Sequence, residues 1–133
     1  MLRWGVWRNA TRPSLSSAAY SMLHLLPPDA QRETHARLVY ESGRAACEIG
    51  FWPLDPHRAS RVDADAVDCP LLVIAGAEDR IVPASVVRKV AQRYGRRATL
   101  RVFENQAHWL VAEPGWQGVA EAVVAWLDDL PSR

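Results

Sequence analysis

The sequence predicts an α/β fold in which strands and helices alternate in βαβα order after a helical segment. An apolar run at residues 71–75 lies between chain breakers, which is typical of a strand buried on both faces of a parallel sheet. Beyond this run, strand and helix patterns alternate with short connections, whereas the patterns before residue 60 are helical. We therefore divide the chain into a helical segment at residues 1–60 and an α/β portion at residues 61–133.

Length and composition limit the kinds of protein that the chain can be. Its 133 residues suffice for one domain, and 49% hydrophobic with 23% charged residues are typical of a folded protein. The net charge of +1 gives no overall attraction to nucleic acid or to an acidic membrane. No run approaches the roughly 18 apolar residues that a membrane span needs. We therefore expect neither a nucleic-acid partner nor a membrane partner.

The cysteines and the N-terminus favour a cytoplasmic protein without a bound metal. Cys47 and Cys69 are too few for a disulfide scaffold or a four-ligand zinc site, so a reducing compartment is expected. Residues 1–8 contain two arginines without an apolar region after them, so we expect no secretory signal. The histidines show no metal-ligand spacing with one another or with the cysteines.

Two helices are predicted in the first part of the chain. Ser14 starts the first helix, and Pro27 ends it because a proline ring cannot continue the backbone hydrogen bonds. Asp29 is a suitable N-cap for a second helix, which we expect to run toward Ile49 and to stop at Gly50. The apolar face of the first helix comprises Leu15, Ala19, Met22 and Leu26.

Each element of the α/β portion has its own signal. Ser85 is placed to cap the helix that follows the first strand, and Gly95 marks the end of this helix. Residues 99–103 alternate between apolar and polar side chains, which indicates a second strand nearer a sheet edge. Pro114 opens the last helix. The core stripe of this helix is expected to comprise Val119, Val123, Trp126 and Leu127.

The first strand creates a physical problem. A strand as apolar as residues 71–75 needs cover on both faces and a neighbour on each edge, yet the sequence offers one other convincing strand. Two strands alone are marginally stable, and a bare edge tends to pair with another chain. We therefore expect this sheet to be the end of a larger one, completed by a homo-oligomer or by pairing with a missing N-terminal portion.

Asp79 and His108 are the candidate catalytic residues. Each lies in a loop that directly follows a predicted strand, and parallel strands bring such loops to the same edge of the sheet. A carboxylate that accepts a hydrogen bond from one imidazole nitrogen leaves the other nitrogen able to take a proton from a nucleophile. Taken singly, Asp79 also suits a turn or a helix cap, and His108 also suits a structural role.

These two loops resemble parts of the α/β-hydrolase superfamily. Residues 67–83 resemble the acid-bearing strand and loop, and residues 105–116 resemble the histidine loop that leads into the final helix. The resemblance implies that Asp79 is the acid and His108 the base of a catalytic triad. It also implies that residues 1–60 form a helical cap over the active site. Trp109, beside His108, is a candidate substrate-binding residue.

The resemblance implies a hydrolase that acts on a small-molecule substrate. A nucleophile of the complete enzyme would attack an ester, amide or related carbonyl through a covalent acyl-enzyme, with no metal or organic cofactor. The substrate class stays open, because epoxide- or halide-directed members with an acidic nucleophile would carry the same acid and histidine portion.

The nucleophile motif of the superfamily is absent from the sequence. Superfamily members place the nucleophile in a G-x-S-x-G turn between a strand and a helix. The nearest match, residues 40–44, lacks both glycines and lies in a helical pattern, so Ser42 is expected to be a small residue at a helix contact. We therefore expect a partial hydrolase that is inactive alone. The alternative is a non-catalytic remnant or interaction module that self-associates or completes a partner's sheet.

Overall fold

The computed structural model describes residues 6–131, so most of the N-terminal segment considered for a secretory signal lies outside the described residues. Within the described range, no helix combines the length and the apolar character that crossing a bilayer requires. The strands are β1 (Ala10–Thr11), β2 (Glu41–Ser42), β3 (Leu71–Gly76) and β4 (Ala98–Phe103). The helices are α1 (Leu15–Ser21), α2 (Pro28–Arg37), α3 (Gly43–Gly50), α4 (Ala84–Tyr94) and α5 (Trp116–Asp128).

Strands β3 and β4 form the parallel pair that the sequence predicts. They are in register from Leu71 opposite Ala98 to Gly76 opposite Phe103. Helix α4 connects the two strands and packs against both of them. It ends at Gly95, as predicted, because Gly95 adopts φ +58°, a left-handed conformation that glycine tolerates without strain. The α/β class is thus confirmed.

The parallel sheet is covered incompletely. Within residues 6–131, β3 pairs with β4 alone, and its residues from Leu71 to Ile74 are only half-buried. The chain has an accessible surface of 10037 Å², whereas a compact monomer of 14.9 kDa exposes about 7,000 Å². Much apolar surface therefore remains in contact with solvent.

Helix α1 begins as predicted and ends earlier. The Ser14 hydroxyl caps it by accepting a hydrogen bond from the Ser17 amide at 3.2 Å. The chain leaves the helix after Ser21 because Leu23 and Leu26 turn back to pack on Ala18 in a small core. Prediction of one continuous apolar face was therefore wrong: Leu15 is exposed, and the buried face contains Ala18 instead.

The long second helix is replaced by two helices. Helix α2 ends at Arg37, and α3 starts at Gly43 and ends at Gly50. Between them Ser42 pairs with Ala10 in the short antiparallel ladder of β1 and β2. Pairing with the N-terminal part of the chain thus overrides the local helical pattern. Asp29 is not the N-cap of α2, since the helix already begins at the preceding proline.

Three details of the C-terminal helices differ from the predictions. The N-cap of α4 is Pro83, so Ser85 lies within the first turn and does not cap the helix. Helix α5 starts at Trp116, after the left-handed residue Gly115. Val119 is buried in the expected stripe, but Leu127 is 53% exposed.

A glycine at the end of β3 lets the two loops of interest approach each other. The backbone of residues 106–107 passes directly over Gly76, where a Cβ atom would lie 2.5 Å from the Gln106 carbonyl oxygen and closer still to that of Ala107. Two backbone hydrogen bonds join the loops here. Ala77 donates to Phe103 at 2.9 Å, and Glu78 donates to Gln106 at 3.0 Å. Only glycine permits this contact.

The substitution Gly76→Ala should therefore separate the loops and lower the free energy of unfolding by about 1–3 kcal/mol, because the new methyl group meets rigid backbone. Urea denaturation measures the loss. Gly118→Ala is the matched control, since its Cβ meets nothing within 4 Å and alanine favours the interior of α5. Equal stability of the two variants would contradict the role of Gly76.

Candidate active site

Asp79 lies in the loop that leaves the carboxyl end of β3. Its Oδ1 accepts hydrogen bonds from the amides of Ile81 at 2.8 Å and Val82 at 2.9 Å. These bonds fold the loop into a turn and hold the carboxylate in one orientation. The Asp79 side chain is only 9% exposed, and its Oδ2 points toward the loop after β4.

His108 lies in that second loop, and the structure brings it to Asp79. Nδ1 of His108 is 2.9 Å from Oδ2 of Asp79, across 29 residues of sequence. Because an ionised carboxylate can only accept, Nδ1 carries the hydrogen in this contact. Among the described residues no hydrogen bond engages Nε2, and 31% of the imidazole side chain is exposed. The pair therefore presents a nitrogen that can exchange a proton with a substrate or nucleophile.

The environment of Asp79 favours its ionised form. Burial is the largest single effect and opposes ionisation, but the hydrogen bonds from Val82, His108 and Ile81 together outweigh it. The pKa of Asp79 is therefore lowered. An ionised Asp79 at neutral pH is the state that fixes the hydrogen on Nδ1 of His108 and stabilises the imidazolium.

Trp109 connects the histidine loop to the helical segment. Its half-buried ring packs against the cluster formed by Ala18, Leu23 and Leu26. Part of its surface is thus used in packing, and its role in binding substrate stays a prediction. On the acid loop, Arg80 donates to the Tyr20 carbonyl at 2.9 Å and lies over the Tyr20 ring at 4.8 Å. Both loops therefore contact the segment after β1.

Sequence reasoning missed Glu113, which is completely buried beneath the histidine loop. Its carboxylate accepts hydrogen bonds from the amides on either side of His108, those of Ala107 and Trp109. The available signal was a single carboxylate within the stretch that joins the histidine to the last helix. A charged residue in such a stretch is usually interpreted as a solvated loop residue. The complete burial of Glu113 excludes this interpretation.

No hydrogen bond among the described residues joins Ser42 to Asp79 or His108. It lies at the end of a strand and before a helix, contrary to the prediction of a helix interior. Its backbone has φ −62° and ψ 118°, which is unstrained, and its hydroxyl caps α3 by accepting from Ala45 at 3.3 Å. Over residues 6–131, His108 has no hydrogen bond to a hydroxyl or thiol group.

Other candidate sites are sparse in the described part of the chain. No group of three or more histidine, cysteine or acidic side chains there is arranged to hold a metal ion. Cys47 and Cys69 are both free thiols. A cavity of about 700 Å³ lies beside α3, and Asp79 and His108 do not line it. Its walls comprise Ile49, Trp52, Pro53, Asp55, Arg58, Ser60 and Arg61.

The chain is similar to a known protein family. Residues 34–131 are similar to the family described as TAP-like protein, and this range includes Asp79, His108 and Glu113. No solved structure matches the chain. The match covers α2 in part and then every later element through α5.

The lowered pKa of Asp79 predicts how the stability of the pair depends on pH. A group with a lowered pKa stabilises the fold above its ordinary pKa of about 3.9 and loses this contribution as pH falls through the folded value. Asp79→Asn should therefore lower the free energy of unfolding by about 1–3 kcal/mol at pH 7. The difference from the wild type should shrink below about pH 3.9.

Urea denaturation between pH 7 and pH 3 measures this dependence. The control is Asp68→Asn, because Asp68 is exposed and makes no described hydrogen bond. Asp68→Asn should change the free energy of unfolding only slightly at every pH. A difference between wild type and Asp79→Asn that stays constant down to pH 3 would show that the charge of Asp79 does not stabilise the fold.

Proposed function

Because the chain belongs to the TAP-like family of the α/β-hydrolase superfamily, we propose that it supplies the acid and the base of a nucleophile–His–Asp triad for ester- or amide-type hydrolysis. The proposal is supported by the 2.9 Å hydrogen bond between Asp79 and His108, whose remaining nitrogen has no described partner. The substrate would be a small molecule with a carbonyl group.

In this mechanism His108 transfers protons and Asp79 orients it. Nε2 takes the proton of the nucleophile as that group attacks the carbonyl carbon, and the imidazolium donates it to the leaving group. Asp79 remains ionised and stabilises the charge on the ring through Nδ1–H. Water then repeats the sequence and releases the acyl group. The lowered pKa of Asp79 suits this role at neutral pH.

The nucleophile of this mechanism would come from a segment outside the 133 residues. The 133 residues contain no G-x-S-x-G motif, and the hydroxyl of Ser42 caps helix α3. An active enzyme would then require a nucleophile-bearing portion, in the same polypeptide or in another chain, placed next to Nε2 of His108.

The free edge of β3 is the natural place for such a portion to join. Ala77 donates its amide hydrogen to Phe103 of the neighbouring strand. Because backbone groups of a strand alternate in direction, the amides of Leu72 and Ile74 point away from β4. An added strand would satisfy these amides and bury the half-exposed side chains of β3.

The helical segment would act as a cap above the site. Its contacts with Arg80 and Trp109 link it to both loops of the pair. In this arrangement the exposed part of Trp109 would line the substrate pocket. Substrate preference would then depend on how the cap and the histidine loop pack together.

A second candidate function is a non-catalytic interaction module. The observation that favours it is the unpaired edge of β3, together with apolar side chains of α4 and α5 that remain exposed, such as Val86 and Val124. Such a module would self-associate or complete a partner's sheet, and the Asp79–His108 pair would be inherited without use.

We expect the 133-residue chain alone to release no 4-nitrophenol from 4-nitrophenyl acetate above the rate of its own His108→Ala variant, because no hydroxyl or thiol group in residues 6–131 is hydrogen-bonded to Nε2. Absorbance at steady state measures this rate. Turnover by the wild type that His108→Ala abolishes would reveal a nucleophile within these residues and contradict the proposal. An in-frame G-x-S-x-G in the coding sequence upstream of Met1 would identify the expected nucleophile portion.

We also expect the chain to associate through the free edge of β3. Sedimentation velocity should show dimers or larger species, and Leu72→Pro should shift them toward monomers because it removes an amide that points away from β4. Ser85→Pro is a control at the first turn of α4, where proline is tolerated. A wild-type chain that sediments as a compact, stable monomer would contradict this expectation.

A further inference from the structure

Glu113 is an unusual carboxylate because it is fully buried and pairs with no cation among residues 6–131. Its side chain is 0% exposed, one of the two largest fully buried side chains of the described residues. The ion pairs found within residues 6–131 join arginines to other acidic residues, or His108 to Asp79, and none includes Glu113. A buried charge without compensation is strongly unfavourable, so the site must compensate it in another way.

Two backbone amides provide this compensation. Oε2 of Glu113 accepts from Ala107 at 2.6 Å, and Oε1 accepts from Trp109 at 2.8 Å. These two residues flank His108 directly. The carboxylate therefore spans the histidine on its backbone side, and each of its oxygens holds the peptide on one side of that residue.

Only a carboxylate can make both bonds. An ionised glutamate accepts hydrogen bonds at both oxygens, whereas a glutamine side chain accepts at one atom and donates at the other. With glutamine at position 113, one of the two amides would face an NH2 group and stay unsatisfied in a buried site. The length and the charge of Glu113 thus match the two donors that converge on it.

The histidine loop is also held from its other sides. The backbone of residues 106–107 rests on Gly76, where no room for a Cβ atom remains. The Gln106 side chain donates from Nε2 to the Pro114 carbonyl at 2.6 Å, which closes the loop next to Glu113. With these contacts, the peptides before and after His108 have little freedom to rotate.

We propose that Glu113 is a positioning residue, which fixes the backbone on both sides of His108 and thereby holds the imidazole against Asp79. Glu113 does not touch the ring and takes no part in proton transfer. The inference rests on the proposed function of His108 as the triad base for its catalytic meaning. Productive proton transfer needs the imidazole held within about 0.5 Å of its working position, which a loose loop does not provide.

Glu113→Gln tests the proposal in the full chain without changing side-chain size. Hydrogen–deuterium exchange should show protection of the Ala107 and Trp109 amides falling about tenfold or more, because one acceptor is lost and the loop opens more often. In ¹⁵N-histidine spectra, the Nδ1–H signal of His108 should weaken and the Nε2–H tautomer should increase. A role in general stability alone would leave the tautomer of His108 unchanged.

Two further variants separate the local effect from other causes. Glu121→Gln neutralises an exposed carboxylate on α5 and should change neither measurement. Asp79→Asn should remove the Nδ1–H signal of His108 while the amides of Ala107 and Trp109 stay protected, because their acceptor remains. This pattern would distinguish the backbone support from the direct hydrogen bond to the ring.

Glu113→Asp provides a second test if the glutamine variant unfolds. The shorter side chain keeps its charge but cannot reach both amides, so one amide should lose protection and the Nδ1–H signal should weaken. Unchanged His108 spectra in a folded variant would overturn the proposal. The proposal would also be overturned if Glu113→Gln and Glu113→Asp both unfolded without a selective loss of protection at the amides of Ala107 and Trp109. Hydrolysis by the wild-type chain that His108→Ala abolishes would instead count against the proposed function, which places the nucleophile outside these residues, and would leave the positioning role standing.

Discussion

The close contact between Gly76 and the backbone of residues 106–107 is the constraint on which the site depends. It lets the acid loop and the histidine loop share backbone hydrogen bonds, from Ala77 to Phe103 and from Glu78 to Gln106. These backbone bonds set the spacing of the two loops. The main-chain geometry thereby brings the side chains of Asp79 and His108 to their 2.9 Å contact. A parallel pair of strands brings the loops to one edge, and the absence of a Cβ atom brings them into contact.

Two buried or partly buried carboxylates act on the same histidine in different ways. Asp79 binds the ring and owes its lowered pKa to hydrogen bonds that outweigh the effect of burial. Glu113 binds the peptides on either side of the ring and is completely enclosed. In both cases backbone amides bind the negative charge, and no arginine or lysine within residues 6–131 forms an ion pair with either group. Amides held in fixed loops cost less side-chain entropy than a flexible cation and orient the carboxylate more sharply.

Within residues 6–131, two hydrogen-bonded loops are combined with a parallel sheet of only two strands. The range that matches the TAP-like family includes both Asp79 and His108, while among residues 6–131 β3 pairs with β4 alone. A strand composed almost entirely of large apolar residues is stable when both faces and both edges are occupied. The position of Asp79 relative to His108 therefore depends on backbone contacts between their two loops. The stability of the sheet depends instead on whether a further strand pairs with β3.

The sequence by itself determined the elements that local chemistry specifies. The apolar run of β3, the alternation in β4, the cap at Ser14 and the left-handed stop at Gly95 each depend on a few neighbouring residues, and all are found in the structure. Tertiary structure decided the rest, because long-range contacts compete with local preference. Pairing of Ser42 with Ala10 divides the predicted long helix, and packing of Leu23 on Ala18 shortens α1. The amides of Ala107 and Trp109 converge on Glu113 and allow its carboxylate to be buried. The periodicity of the sequence does not reveal such contacts, because they form only when segments far apart in the chain come together.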